Sequence, residues 1–563
     1  MRTQILAVML GTGVVLSGCA GVRHPRLAGD AYGKQDAYAK PGGGRSAADV
    51  ARAREEACAD WRWIAVKKDP AAACPVPRRG WSTRPGFDRA QRQHACGEKK
   101  HGAPAGISLA EATEQLDRFC VYETAKLGWW SPRRPFASAR AAGLEKLDRD
   151  CAVIDRAWQQ QVVDLASPSW KPFADNFLAQ AGQAPTLNIT QQGGGRLAFL
   201  DDEPTRETIP DAVERPRHRQ VHGLTLANIA RHLVCGGEPS YLSPCAAKIT
   251  TRLALPVASF DPDDPQGTTT TPNGGHIGTQ QNLADAIYAE VNAWKAARSQ
   301  EAQQHLVLNL SLGWDPTILG DVDAAKLQAG SDAVYSALQY AQAEGALVVA
   351  AAGNQRECDS AMPGPVLPAG WEEELSSDAT SNVPLIYAVG AMGWDNRPLS
   401  NTRGAGMPRR AAYGEHAVVA AVQDGLSTWM YSGSSVSTAV VSATAALVWD
   451  SFPNLSREQV METLYQSGWD TKLEADFPGD SPRPAVKRVS VCNAIQSACA
   501  AATAALGTAA PCPLPEGVSC PTMPTYAVHS PDWAVSALSR SCNPWVNPQP
   551  DTPLCPPCRP PES

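Results

Sequence analysis

Between about residues 190 and 500, short apolar, β-branched runs alternate with longer amphipathic segments. Residues 307–312 and 346–352 read as buried strands, and residues 283–298 and 324–345 as the helices around them. That rhythm predicts an α/β unit, a parallel sheet with flanking crossover helices. Upstream, residues 46–185 show helical spacing at 47–60, 109–124 and 137–165, broken by turns rich in Trp and Pro. This predicts a mainly helical, cysteine-containing accessory region, retained rather than removed. Residues 501–563 read as a Pro- and Cys-rich tail that ends in Cys-Pro-Pro-Cys at 555–558. At the other end, residues 5–16 are apolar but shorter than the ~20 residues a membrane span requires. Residues 1–18 therefore read as a signal peptide, and the polar residues 19–45 as a flexible stalk.

Composition narrows the class. The net charge of −7 is spread without single-sign runs, which argues against a basic nucleic-acid binder. Hydrophobic residues at 43% against 19% charged ones describe a chain able to bury a core. Sixteen cysteines point to an oxidising compartment. Cys235 and Cys245 flank a short Gly/Pro-rich loop and are the pair expected to form a disulfide. Cys492 and Cys499, seven apart on one helix, would be separated by ~10 Å of rise, too far to bridge each other.

Four local patterns carry chemistry. Gly433-Ser434-Ser435 opens a helix of small residues, so Ser435 sits where unpaired N–H groups favour negative charge. Ala351-Ala352-Gly353-Asn354 ends a buried strand and presents an amide at the carboxyl edge of the sheet. Phe199-Leu200-Asp201 is an apolar strand ending in a carboxylate, and His222-Gly223 opens an amphipathic helix. Each pattern alone reads equally well as a helix cap, a strand closure or an ordinary core polar residue.

In the order Asp201, His222, Asn354, Ser435, with Ser311-Leu312-Gly313 between, the set resembles the subtilisin-like serine peptidases (subtilases). The resemblance covers about residues 195–455 and implies an α/β, subtilisin-like peptidase domain within residues 190–500. It implies Ser435 as nucleophile, His222 as general base and Asp201 as the carboxylate orienting it. Asn354 would stabilise the oxyanion, and Ser311, Leu312 and Gly313 would pair with a peptide or protein substrate. No cofactor or metal is required for that chemistry, and a structural calcium, common in the family, has no assigned site. Oligomeric state is not set by the sequence.

The chain also departs from the family. Asp202 and Glu203 follow Asp201, leaving open which carboxylate orients His222. Leu224 and Thr225 follow His222-Gly223, the helix after Ser435 lacks its usual Pro, and Trp314 implies a narrowed specificity pocket. A catalytically silent scaffold on the same fold is the alternative. Finally, Leu16-Ser17-Gly18-Cys19-Ala20 resembles the lipobox of bacterial lipoproteins. That implies acylation of Cys19 and an extracytoplasmic protein anchored by lipid to the outer membrane.

Overall fold

In this computed structural model the residues described are 58–94, 107–124, 134–154, 158–164, 171–183, 187, 194–202, 222–235, 245, 247–258, 276–298, 305–316, 327–354, 364–374, 384–399 (395 apart), 403, 408–417 (416 apart), 427–471, 485–506 and 512–524. The expectations for the signal peptide, Cys19, the stalk and Cys555-Pro-Pro-Cys558 lie outside them.

The described residues begin with β1 (Cys58–Lys67), β2 (Ser82–Pro85), α1 (Arg89–His94), α2 (Leu109–Leu116), β3 (Phe119–Glu123), β4 (Leu144–Ile154), β5 (Trp158–Asp164) and α3 (Lys171–Gln180). Next come β6 (Gly195–Asp201), α4 (His222–Val234), β7 (Ala247–Leu253), β8 (Val257–Ala258), β9 (His276–Thr279), α5 (Gln280–Arg298), β10 (Leu306–Leu310), α6 (Ala329–Glu344) and β11 (Leu347–Ala351). The remainder holds α7 (Trp371–Glu374), β12 (Tyr387–Met392), β13 (Arg410–Tyr413), β14 (Ser427–Ser432), α8 (Ser434–Ser451), α9 (Arg457–Gln466), β15 (Trp469–Asp470), β16 (Lys487–Arg488) and α10 (Val491–Leu506).

The central sheet runs β15-β16-β13-β12-β11-β10-β6-β7, with every pair from β16 to β7 parallel and β15 antiparallel at the edge. Its strands are apolar on both faces. On β6, Leu197 and Phe199 join the core under α4 and α8, while Ala198 and Leu200 join the core under α5 and α6. Strands covered on both sides read as continuous hydrophobic runs, so the sheet was visible in the sequence. From β6 the chain moves outward to β7, then returns to the other side at β10. The crevice between the carboxyl ends of β6 and β10 is thus the point where strand order reverses, the usual ligand position in such sheets. Helix α8 is buried from Ser434 through Trp449. Small residues allow this close packing, and Thr438 and Thr444 hydroxyls return their hydrogen bonds to the helix backbone at 2.7 Å each.

The accessory region is different from the helical expectation. Residues 119–123, 144–154 and 158–164 are strands; of the stretches expected to be helical, 109–124 holds the helix α2 and 137–165 only one short 3-10 turn, while α1 and α3 lie outside them. The sheet order is β2-β3-β1-β4-β9-β8, so β4 pairs antiparallel with β1 on one side and with β9 on the other. In β4, Leu144, Leu147 and Cys151 recur at intervals of three and four and so mimic helical spacing. The period that matters is polar, at alternate positions on one strand face. Lys146 Nζ pairs with Asp332 at 2.7 Å, Asp148 accepts from Ala329 N at 3.0 Å, and Asp150 accepts from Gln281 N at 3.1 Å. Two carboxylates of one strand thereby satisfy unpaired amides at the N-termini of α6 and α5.

Five disulfides join described residues: Cys58–Cys151, Cys74–Cys120, Cys235–Cys245, Cys492–Cys520 and Cys499–Cys512. The expected Cys235–Cys245 bridge is among them. Cys492 and Cys499 each find a partner beyond α10 instead of each other.

Asp450, in the last turn of α8, accepts from Gly195 N at 2.8 Å, and burial pushes its carboxyl up to about 6 against those backbone hydrogen bonds. The folded protein holds this proton more tightly than an unfolded chain titrating near 3.8. The stability it confers is therefore complete below pH ~4 and is lost as pH rises through ~6, about 3 kcal/mol in all. Asp450→Asn keeps an acceptor for Gly195 and cannot ionise. Relative to the unsubstituted protein, its urea midpoint should rise steadily between pH 4 and 7; a constant offset across that range would contradict the assignment.

Candidate active site

Asp201 ends β6 with its side chain at the crevice. Its carboxylate oxygens both lie 3.0 Å from His222 Nδ1, and Oδ1 also accepts from Asp202 N at 2.9 Å. Both side chains are nearly inaccessible, 1% exposed for Asp201 and 4% for His222. Burial pushes the Asp201 carboxyl upward, opposed by the charge and hydrogen bond of His222. Asp202 points to a different task. Its two oxygens accept from His222 N at 2.9 Å and Gly223 N at 2.8 Å, capping the start of α4. The two adjacent carboxylates thus divide: one meets the imidazole, the other holds the helix that carries it. Only glycine fits after His222, because a Cβ on Gly223 would lie 2.6 Å from Asp201 Cβ.

Ser435 occupies the first turn of α8, whose N-cap is Gly433. Its hydroxyl donates to the Ser311 carbonyl at 3.3 Å, and the Ser311 hydroxyl lies 3.2 Å from the Ser435 carbonyl. The same Ser311 hydroxyl lies 2.9 Å from Asn309 Oδ1, while Asn309 Nδ2 donates to Ser442 at 3.1 Å. A buried polar chain therefore pins the first turn of α8 to the end of β10. Asn354 is held from the other side. Its Oδ1 accepts from Ser434 N at 2.9 Å and lies 3.2 Å from Ser434 Oγ, which in turn accepts from Gly353 N at 3.1 Å. With Oδ1 so engaged, the Nδ2 amide is the donor end of the side chain, and Asn354 lines the cleft together with Ser435. A Cβ on Gly433, at φ +145°, would lie 2.7 Å from Asn354 Nδ2, so this turn closes only with glycine.

The structure thus brings the sequence-predicted residues to one end of one sheet. Asp201 with His222 forms one hydrogen-bonded set; Ser311, Asn354 and Ser435 are linked in a second, with Leu312 and Gly313 beside them in the cleft wall. Helix α4 packs on α8, and the ring of Tyr431, in the strand that leads into α8, has its centroid 6.1 Å from that of His222. Asn309, Ser434, Tyr431 and the capping role of Asp202 were missed by sequence reasoning. A signal for Asn309 existed: it is the one polar residue in the buried run Leu-Val-Leu-Asn-Leu of β10. Trp314, expected to narrow a pocket, lines the cleft that holds Ser435 and also packs edge-on against Trp371, centroids 5.7 Å apart. Among the described residues no group of three or more His, Cys, Asp and Glu side chains could hold a metal ion.

Arranged this way, the groups suit acyl transfer. A hydroxyl stands at a helix N-terminus, an imidazole is held through Nδ1 by a carboxylate, and an amide donor is fixed near the hydroxyl. One family comparison falls on part of the same region. Residues 268–484 match the family model described as Subtilase family, a span that contains Ser311, Asn354 and Ser435 and begins after Asp201 and His222. No curated protein matches the chain. Among solved structures, the patellamide maturation protease PatA is 22% identical, with 56% of this chain and 99% of that one covered and a TM-score of 0.34. The prenylagaramide maturation protease PagA is 19% identical over 59% of this chain and 99% of its own, TM-score 0.33. MycP1 from Mycobacterium smegmatis is 20% identical over 61% and 89%, TM-score 0.36. At the level of family, the chain is similar to serine proteases of the subtilase type.

Proposed function

We propose that the protein is a serine endopeptidase that cleaves peptide bonds through an acyl-enzyme. The observation that carries this reading is the buried contact of Asp201 with His222 Nδ1 at 3.0 Å, on a helix packed against α8, in whose first turn Ser435 stands. An imidazole held through Nδ1 keeps its proton on that nitrogen and offers Nε2 as the base. In the reaction, Ser435 Oγ turns from the Ser311 carbonyl, gives its proton to His222 Nε2 and attacks the scissile carbonyl carbon. The resulting oxyanion takes hydrogen bonds from Asn354 Nδ2 and the Ser435 amide, and one such donor contributes roughly 2.7–4 kcal/mol to lowering the barrier. His222 then returns the proton to the leaving amine. A water molecule, deprotonated by the same imidazole, attacks the acyl carbon; the ester bond to Ser435 Oγ breaks, the imidazolium returns its proton to that oxygen, and the carboxylic acid product leaves. Substrate binds as an extended peptide along Ser311, Leu312 and Gly313, and no cofactor enters these steps.

A fluorophosphonate probe tests the reading directly. Labelling of the folded protein that disappears in Ser435→Ala supports it. A folded protein that takes no label is instead a catalytically silent scaffold.

The reading extends to location. Acylation of Cys19 in the lipobox-like Leu16-Ser17-Gly18-Cys19 would tether the enzyme to a bacterial outer membrane, since several acyl chains anchor firmly. Among the described residues no helix is long and apolar enough to cross a membrane. Cys19→Ser should move the protein from the detergent to the aqueous phase in a two-phase extraction; unchanged partitioning would refute the anchor.

A further inference from the structure

The cleft beside Ser435 has a floor that the chemistry above does not use. Its walls are the segments 311–315 and 351–354, and Val366 and Arg403 line the space between them. Two glycines measure how closely. A Cβ on Gly313 would lie 2.7 Å from Val366 Cγ2, and a Cβ on Gly353 would lie 2.7 Å from Val366 Cγ1 and 3.1 Å from Arg403 Cδ. One valine therefore touches both walls. Its backbone is clamped as well: Val366 N donates to Ala352 O at 2.9 Å, and Leu367 exchanges hydrogen bonds with Trp314 at 2.9 and 3.0 Å. The valine cannot swing aside without breaking bonds to either wall. Deeper in, Arg403 Nε donates to Gly364 O at 2.7 Å and Nη2 lies 3.4 Å from Asp315 Oδ2, their side chains only 2% and 5% exposed.

We propose that Val366, Arg403 and Asp315 make this slot a specificity pocket for a small uncharged side chain, Gly, Ala or Ser, on the residue that supplies the scissile carbonyl. The proposal rests on the serine peptidase reading, because attack by Ser435 on a carbonyl brings the preceding side chain to the adjoining slot. Branched or aromatic side chains would need the volume Val366 already fills, and overpacked apolar sites reject added groups. Charged side chains fare no better. The Asp315–Arg403 pair is neutral as a whole, so a buried newcomer of either sign gains no net counter-charge unless it splits the pair.

Digestion of a mixed peptide library by the full-length protein, with cleavage sites read by mass spectrometry, tests this without any variant. Cleavage after Gly, Ala and Ser should exceed cleavage after Leu, Phe, Lys and Glu by at least about 10-fold in kcat/KM. Val366→Ala should raise cleavage after Leu and Met by about 10-fold, with fluorophosphonate labelling of Ser435 retained. Adding Arg403→Met removes the guanidinium charge from beside Asp315. That double variant should gain cleavage after Lys and Arg, and lose the gain again when Asp315→Asn is added. Cutting after Phe or Leu as readily as after Ala, by an enzyme whose untreated sample reacts with the probe at Ser435, would overturn the pocket assignment and leave the role of Ser435 standing. A folded protein that takes no label would overturn both.

Discussion

Ser435→Ala, His222→Ala and the double variant are each expected to lower kcat for peptide hydrolysis by about a million-fold, with the double no worse than either single. The two groups share one proton. Without the imidazole the hydroxyl is a poor nucleophile at neutral pH, and without the hydroxyl the imidazole has no proton to take. Independent contributions would multiply instead, giving a double variant far below the singles. Residual hydrolysis would come from the oxyanion donors and from binding alone, roughly 1,000-fold above the uncatalysed reaction. Pre-steady-state rates on one peptide, with all three variants shown to be folded, decide between these patterns. A multiplicative outcome would mean that His222 does not serve Ser435.

The second large effect separates two neighbouring carboxylates. Asp201→Asn should lower kcat by about 10,000-fold with little change in thermal stability. An amide in that place can donate to Nδ1, which drives the imidazole proton to Nε2, the nitrogen that must accept from Ser435. Asp202→Ala should do the opposite. It strands the His222 and Gly223 amides at the start of α4, which now donate at 2.9 and 2.8 Å, so stability falls by about 0.5–2 kcal/mol. Turnover should change by less than about 10-fold, since the contact of Asp201 with the ring survives. The reverse ranking would reassign the orienting role to Asp202. Parallel kcat and urea-unfolding measurements on the two variants give the answer.

Each of the four chemical groups was legible because it sits where one kind of local pattern changes to another. Asp201 and Asn354 follow apolar runs that end abruptly; His222 and Ser435 stand beside glycines at helix starts. The parallel sheet was legible for a related reason, since strands buried on both faces leave long apolar runs. The division of labour between Asp201 and Asp202 was not, because adjacent identical residues differ only in where the backbone turns them. Strand β4 was hidden by its function. Its informative positions, Lys146, Asp148 and Asp150, are polar and face helix ends across 131 to 186 residues of intervening chain. Val366, Arg403 and Asp315 leave no local signature at all, since Arg403 meets Asp315 only after 88 residues of chain have folded between them.

The strand β4 bridge also bears on what a nick in the backbone can accomplish. A single cut anywhere in 165–193 would sever the chain ahead of the Asp201 strand and yet separate nothing. The upstream piece would stay laced to its remainder along β9, through the amides of two helices, and through the pairing of β5 with β14, the strand that runs into the serine turn. Chain scission there would alter the covalent map while leaving both fragments to travel as one particle.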